Sequence, residues 1–242
     1  MFGVINQVCN LFKAADFEYA ICGGFALDMF VGKELRNHGD VDIVVYNEDK
    51  HRILKLLADG GWLAFGRFME EGKPITQQLF YKINDITDNY WDSCKNMWVI
   101  RPKHLPNVLE RIDRLQEEVY TYKPRKWLVQ EEIEFIELEF DSRENGTFIL
   151  QEAPKIIREM EKAILYRNNI PYLAPEIVLF YKTDRFSHEH PVIKVKTIGD
   201  FNTIMPLLSD ESRKWLAEAV KTAYPDGYPW CEALLSDETN KH

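Results

Sequence analysis

The segment that most constrains this chain runs from Ile21 to Val45 and reads ICGGFALDMFVGKELRNHGDVDIVV. Its pattern predicts a strand, a glycine turn, a short helix, a basic loop and a second strand that opens with Asp40 and Asp42. Because strand residues two apart point to the same face, the two carboxylates are expected side by side, just downstream of the glycine turn. The segment therefore predicts a sheet-and-helix unit with an acidic pair at one strand end.

The acidic pair and the glycine turn together indicate a site for a polyphosphate and a divalent cation. A glycine turn at a helix N-terminus lets a polyphosphate approach the backbone closely. Mg²⁺ is a hard cation that takes carboxylate oxygens and shares its coordination shell with substrate phosphates. A site of this composition can support an in-line displacement at phosphorus.

Composition narrows the classes of protein that this chain can be. At 242 residues, with 45% apolar and 13% aromatic residues, it can form one large domain or two small ones with a substantial core. It has no apolar run near the roughly 20 residues of a membrane-spanning helix. Its N-terminus lacks the basic and apolar blocks of a secretory signal. No membrane partner is therefore expected.

Charge and cysteine usage point to a partner class and a compartment. The formal net charge of −9 disfavours a general nucleic-acid binder, whose footprint is basic, and suits a cationic small molecule. The cysteines are scattered without a CxxC pair, which argues against a disulfide framework and a zinc site. A reduced, cytoplasmic setting is expected.

Hydrophobic periodicity divides the chain into an α/β part and a helical part. In the first part it predicts helices at about 2–15, 48–57 and 105–115. It predicts strands at about 17–22, 42–46, 62–68, 78–83, 97–100, 132–140 and 147–150. Asn145-Gly146 predicts a hairpin between the last two strands. Later helices are predicted at about 155–165, 174–186, 198–207 and 210–223. The predicted domains are residues 1–152 and an all-helical unit of residues 153–242.

A third carboxylate is needed beside the acidic pair, because some group must orient or deprotonate the attacking hydroxyl. A carboxylate on an adjacent strand can both bind metal and act as a base. The predicted acidic strand at 132–140 offers Glu134, Glu137 and Glu139. Alternation places Glu137 and Glu139 on one face and Glu134 on the other, and the local pattern leaves all three open.

The stretch GGFALDMFVGKELRNHGDVDIVV resembles the signature of antibiotic nucleotidyltransferases of the DNA polymerase β superfamily, of the aminoglycoside and lincosamide adenylyltransferase type. Their usual form is GG-x-A-[IL]-D followed by R-x-H-x-D-[IVL]-D. The chain matches this form at Gly23, Gly24, Ala26, Leu27, Asp28, Arg36, His38, Asp40 and Asp42. The later segment IPYLAPEIVLFYK is similar to a segment of bacterial proteins of this group.

The resemblance departs from the family pattern farther along the chain. In those proteins a K-D-x-x-D-F motif follows, whereas residues 196–201 read KTIGDF and lack its first acid. That departure weakens any role for Lys196. The N-terminal motif is the specific part of the resemblance.

The resemblance implies an α+β fold: a polymerase-β-like mixed sheet with packed helices, followed by a helical C-terminal domain. Asp40 and Asp42 would hold Mg²⁺, two ions in all, against the triphosphate of an NTP, ATP first. The third carboxylate falls on Glu134, with Glu137 as its rival. The implied reaction moves a nucleoside monophosphate to a hydroxyl of a small molecule, such as an aminoglycoside- or lincosamide-like antibiotic, and releases pyrophosphate.

The resemblance also assigns the phosphate contacts. It implies that the phosphates bind at Gly23 and Gly24, and it predicts nucleotide contacts for Arg36, His38 and Lys182. Other roles stay open: Arg36 could pair with an acid, and His38 could orient Asp40 by a hydrogen bond. Asp28, inside the predicted helix, is expected to make a structural contact.

Acidic and aromatic residues give two further hypotheses about the acceptor. The acids from Glu131 to Asp141 would attract a cationic acceptor, although acids also face water on edge strands. Tyr90, Trp91, Trp98 and Trp127 could wall a sugar or base pocket, although aromatics are more often core.

Two alternatives to a small-molecule transferase remain: nucleotidyl transfer to a protein or RNA, and a non-catalytic nucleotide-binding regulator. The GG turn and the long helical part argue against the first alternative. The intact Asp40 and Asp42 argue against the second alternative. It stays open because the third acid is not yet assigned.

Overall fold

The computed structural model describes residues 2–13, 16–38, 40–68, 79–82, 94–116, 119–124, 135–151, 153–183 and 191–227. Its helices are α1 (Phe2–Lys13), α2 (Gly23–Val31), α3 (Lys50–Asp59), α4 (Leu105–Val108), α5 (Met160–Ala163), α6 (Pro175–Tyr181), α7 (Pro191–Ile204) and α8 (Asp210–Ala223). Short 3₁₀ turns at Asn47–Asp49 and Met205–Leu207 precede α3 and α8.

The strands alternate with these helices along most of the chain. They are β1 (Ala20–Ile21), β2 (Asp42–Tyr46), β3 (Leu63–Phe68), β4 (Leu79–Lys82), β5 (Asn96–Ile100), β6 (Leu109–Gln116), β7 (Val119–Pro124), β8 (Phe135–Glu144), β9 (Thr147–Ile149), β10 (Ile157–Glu159), β11 (Ile164–Arg167) and β12 (Ile170–Leu173).

Most of these strands form one mixed sheet in the order β11-β12-β1-β2-β8-β5-β3-β4-β7-β6. The β2–β8 and β1–β12 ladders are parallel, and the other ladders of this path are antiparallel. Ile43, Val44 and Val45 of β2 are fully buried, as expected for a strand covered on both faces. The predicted α+β class, with a mixed sheet and packed helices, is confirmed.

Apolar residues form two clusters on this sheet. The larger cluster packs α1, α3 and the C-terminal helices against β1, β2, β5 and β8. The smaller one surrounds Trp98, whose ring centroid lies 4.4 Å from that of Phe80 and 5.0 Å from that of Phe135. Trp98 is thus a core residue and not a pocket wall. The other three aromatics of that hypothesis, Tyr90, Trp91 and Trp127, lie outside the described residues.

Several predicted elements are confirmed closely. Strand β2 and helix α8 have the bounds that the periodicity predicts. The predicted hairpin joins β8 to β9, and its turn residues Asn145 and Gly146 have φ angles of 49° and 78°. The left-handed region that these angles occupy is where asparagine and glycine are tolerated best.

Two predicted helices are wrong because long-range strand pairing overrides the local pattern. The helix expected at 105–115 ends at Val108, and the chain continues as β6, which pairs with β7. The helix expected at 155–165 is instead β10, the four-residue α5 and the start of β11. Strand β11 then returns through a two-residue turn, Asn168-Asn169, to β12.

Strand β12 adds to the main sheet beside β1, with Tyr172 opposite Ile21. The sheet therefore contains strands from both sides of the predicted boundary at residues 152 and 153, and that boundary stays a prediction. A helical C-terminal region is confirmed, beginning at Pro175. Within the residues that the structure describes, no helix is both long and apolar enough to cross a membrane.

Candidate active site

Three carboxylates converge where β2 begins. Asp42 is the first residue of β2 and Asp40 lies two residues earlier, while the parallel β2–β8 register places Glu137 opposite Asp42. One oxygen from each of Asp40, Asp42 and Glu137 lies within 4.8 Å of the others. Three clustered carboxylate oxygens are the donor set that Mg²⁺ prefers. Glu134, the carboxylate that the resemblance favours, lies outside the described residues, so its role stays a prediction.

The acidic cluster carries negative charge that its surroundings do not fully offset. Burial raises the pKa of Asp42 well above its usual range, and the charges of Asp40, Glu137 and Glu139 raise it further. Burial also raises the pKa of Asp40, although the nearby cations Lys182 and Arg36 act against that shift. An added cation would relieve this repulsion, so the electrostatics fit a metal site.

The acids of β8 lie in the interior of the sheet, because β8 runs between β2 and β5. The hypothesis that these acids face water on an edge strand is therefore wrong for the described residues, because Glu137 and Asp141 are buried. Asn96 of β5 donates through Nδ2 to Oε1 of Glu137 at 2.5 Å and to Oε1 of Glu139 at 2.6 Å. Sequence reasoning missed Asn96, since only the antiparallel β5–β8 register brings it to these acids.

Each motif glycine leaves room for a specific motif side chain. Gly23, the first residue of α2, has φ +59°, and a Cβ there would lie 1.6 Å from Oδ2 of Asp42. A Cβ on Gly24 would lie 2.3 Å from Nδ1 of His38. The glycines therefore let Asp42 and His38 pack against the start of α2, in addition to any phosphate contact.

His38 connects α2 to the basic loop. Its Nε2 lies 2.7 Å from Oδ2 of Asp28, and its Nδ1 lies 3.2 Å from NH1 of Arg36. Because a guanidinium only donates, Nδ1 must accept, so Nε2 carries the proton and donates to Asp28. Both ring nitrogens are thereby engaged, which favours a role in holding Arg36 over a contact to phosphate or to Asp40.

Asp28 makes the structural contact that its place in a helix predicts. It is fully buried, and besides bonding His38 it accepts a hydrogen bond from the backbone N–H of Leu35 at 3.0 Å. A buried carboxylate with two donors is stable in this environment. Asp28 thus holds the loop on both sides of Arg36, at Leu35 and at His38.

Arg36 and Lys182 meet at one acid of the C-terminal region, Asp200 of α7. Arg36 donates from Nε to Oδ1 and from NH2 to Oδ2 of Asp200, each at 3.4 Å. Nζ of Lys182 lies 3.0 Å from the same Oδ2. Burial alone would raise the pKa of Asp200, but these two cations more than offset it and hold the pKa below its usual range. The predicted pairing of Arg36 with an acid is thus observed, and its nucleotide contact stays a prediction.

Two neighbouring side chains complete the described surroundings. The Tyr181 hydroxyl donates to Oδ2 of Asp141 at 2.7 Å and so connects α6 to β8. Cys22, just before the glycine turn, is buried, and burial followed by the charge of Asp42 raises the pKa of its thiol well above the usual range. A protonated, buried thiol is not a nucleophile, as its place in an apolar strand predicts.

Comparison with known families matches residues 4–69 to the family Aminoglycoside-2″-adenylyltransferase. The matched range contains most of α1, the glycine turn, Arg36, Asp40 and Asp42. The resemblance predicted from the motif is therefore confirmed over this part of the chain. No curated protein matches the sequence significantly.

Three solved structures that align with this chain have low sequence identity to it. ANT(2″)-Ia in complex with adenylyl-2″-tobramycin has 13% identity and a TM-score of 0.49, over 91% of this chain and 96% of that one. Lincomycin-bound lincosamide adenylyltransferase LnuA has 13% identity and a TM-score of 0.41, over 73% and 82%. An antigenic nucleotidyltransferase-like protein from Paracoccidioides brasiliensis has 17% identity and a TM-score of 0.41, over 96% and 89%.

Proposed function

We propose that this chain is a nucleotidyltransferase that moves a nucleoside monophosphate from an NTP, ATP first, to a hydroxyl of a small molecule and releases pyrophosphate. The observation that carries the proposal is the convergence of Asp40, Asp42 and Glu137 beside the glycine turn. Both aspartates lie within the residues that match the adenylyltransferase family.

In this proposal Asp40, Asp42 and Glu137 hold Mg²⁺, with two ions as the implied number. Bound Mg²⁺ would neutralise triphosphate charge and polarise the phosphoryl oxygens. Glu137 is our choice for the third carboxylate, because its strand register places it beside Asp42. Glu134 remains the rival that the motif predicts.

The protein groups around the cluster orient the nucleotide. The N-terminus of α2 at Gly23 and Gly24 offers backbone N–H groups toward phosphate. Arg36 and Lys182 supply positive charge beside Asp40 for the phosphates farther from the reacting centre. His38 holds Arg36 in place from the buried side.

We propose a cationic acceptor that carries hydroxyl groups, of the aminoglycoside or lincosamide kind. The net charge of −9 and the carboxylate of Glu139, two residues after Glu137 on the same strand, favour a cation near the site. A cytoplasmic setting agrees with the free thiols of Cys9, Cys22 and Cys94 and with the supply of NTP.

The test is pyrophosphate release from MgATP, MgGTP, MgCTP and MgUTP with a panel of aminoglycosides, lincosamides and simple sugars. We expect release that requires Mg²⁺, one acceptor class and Asp42. Silence across the panel with NTP binding intact would replace the small-molecule acceptor by a macromolecular one or by a regulatory role. Absence of NTP binding would overturn the proposal altogether.

A further inference from the structure

We propose that Asp200 is a positioning residue that holds Arg36 and Lys182 together as one site for the outer phosphates of the nucleotide. This inference rests on the proposed function. It concerns an acid in the C-terminal region, 164 residues from Arg36 in sequence and outside the family-matched segment.

The first argument is the shared oxygen. Lys182 and Arg36 both contact Oδ2 of Asp200, so two positive charges lie within hydrogen-bond reach of one atom. Without an acid between them, two cations at this spacing repel each other and separate. Asp200 therefore sets the distance between the two charges.

The second argument is the order of burial. The Asp200 side chain is 6% exposed, whereas those of Arg36 and Lys182 are 26% and 19% exposed. The acid thus lies beneath the cations, and the cations have the solvent-accessible side. An acid that occupied the phosphate position itself would be the more exposed partner, so the order of burial favours a support over a stand-in for phosphate.

The third argument is spare hydrogen-bonding capacity. A guanidinium has five N–H donors and an ammonium has three, and Asp200 takes two from Arg36 and one from Lys182. Nδ1 of His38 and the backbone oxygen of Asn37 accept from NH1 of Arg36, so four of its five donors are used and one N–H of NH2 is left, beside two N–H groups of Lys182. Both cations therefore keep donors for a ligand while their positions are set.

The test is equilibrium titration with MgATP, in the absence of acceptor, for the wild-type chain and Asp200→Asn. We expect Asp200→Asn to weaken ATP binding roughly tenfold, the usual scale for losing a charged hydrogen-bond partner. Asp200→Glu should recover part of the loss. Asp210→Asn is the matched control, because Asp210 is an acid of the neighbouring helix that is 94% exposed and pairs with Arg213, three residues away.

A double-mutant cycle separates positioning from general damage to the fold. If Asp200 acts through the two cations, the loss caused by Asp200→Asn should be smaller in the Lys182→Met background than in the wild-type chain, because only Arg36 is then left to position. Additive losses would overturn the inference, as would unchanged or tighter ATP binding by Asp200→Asn. A wild-type chain that binds no MgATP would instead overturn the proposed function, and the inference with it.

Discussion

The acidic cluster (Asp40, Asp42 and Glu137) lies close to the basic cluster (Arg36 and Lys182). The charges of the two clusters are balanced in different ways. Asp40, Asp42 and Glu137 crowd one another, and the pKa of Asp42 is raised by burial and by its acidic neighbours. Arg36 and Lys182, in contrast, share the buried counter-ion Asp200. The first cluster lacks a cation among its own residues, while the second is already ordered by an acid of its own.

This difference indicates that the two clusters contribute to ligand binding in different ways. A group of like charges held together by the fold stores repulsion that a ligand of opposite charge releases. A charge-paired group is instead already ordered, so binding a phosphate costs it little conformational entropy. We therefore expect metal binding to stabilise the acidic cluster strongly. We expect phosphate binding to change the stability of the basic cluster only weakly.

The largest expected effect comes from removing one member of the acidic cluster. Asp42→Asn should lower NTP-dependent pyrophosphate release at least about a hundredfold, because metal-mediated charge stabilisation is worth several kcal/mol. It should also abolish any rise in melting temperature caused by Mg²⁺ or Mn²⁺. Asp59→Asn, which removes an exposed acid of α3, is the control and should change neither quantity. Retention of full activity by Asp42→Asn would remove the acidic cluster from the mechanism.

A second comparison sharpens the membership of the acidic cluster. Glu137→Gln keeps an oxygen that accepts from Asn96 but loses the charge, so we expect activity to fall about tenfold to a hundredfold. Glu134→Gln should lower activity by less than that. Steady-state rates at saturating MgATP measure both. A severe loss in Glu134→Gln with full activity in Glu137→Gln would restore Glu134 as the third carboxylate.

A glycine pair tests how the acidic cluster is packed against α2. Gly23 and Gly61 both have positive φ, but a Cβ meets Asp42 at the first and nothing within 4 Å at the second. Gly61→Ala should therefore cost only the left-handed backbone penalty of about 1–2 kcal/mol. Gly23→Ala should cost roughly 1–3 kcal/mol more and displace Asp42. Equal unfolding free energies for the two variants would contradict the packing seen here.

The smallest expected effect is on stability without metal. A carboxyl whose pKa is higher in the folded chain than in the unfolded chain lowers stability as pH rises from the unfolded pKa, about 3.9, toward the folded pKa. At neutral pH and without metal, Asp42→Asn should thus melt higher than wild type, by roughly 2–4 °C for each kcal/mol of repulsion removed. The difference should shrink toward pH 4. A lower melting temperature for the variant at neutral pH would show that the cluster is not repulsive.

Local pattern predicted the parts of the site that lie within one segment. The motif located Asp40, Asp42 and the two glycines, and the place of Asp28 in a helix predicted its structural role. The apolar run of β2 and the periodicity of α8 gave both elements their observed bounds. In each of these cases the determining contacts are local or are set by a buried face.

What sequence could not supply depends on pairing between distant segments. The choice of Glu137 as a member of the cluster follows from the β2–β8 register, and Asn96 reaches it only through β5. The partnership of Arg36 with Asp200 spans 164 residues. The hairpin of β11 and β12 did leave a signal, since Asn168-Asn169 is a favoured left-handed turn. The apolar spacing instead predicted a helix up to about residue 165, at the start of β11, and no element over residues 166–173.

The most direct test of the central claim is mass spectrometry of the acceptor. Wild-type chain and Asp42→Asn would each be incubated with MgATP and pooled aminoglycosides and lincosamides. The proposed function predicts one acceptor whose mass increases by one adenylyl group, which is adenosine monophosphate less water, with the wild-type chain and not with the variant. An acceptor modified equally by both, or none modified while MgATP binds to the wild type, would contradict the claim that Asp40, Asp42 and Glu137 transfer a nucleotide to a small molecule.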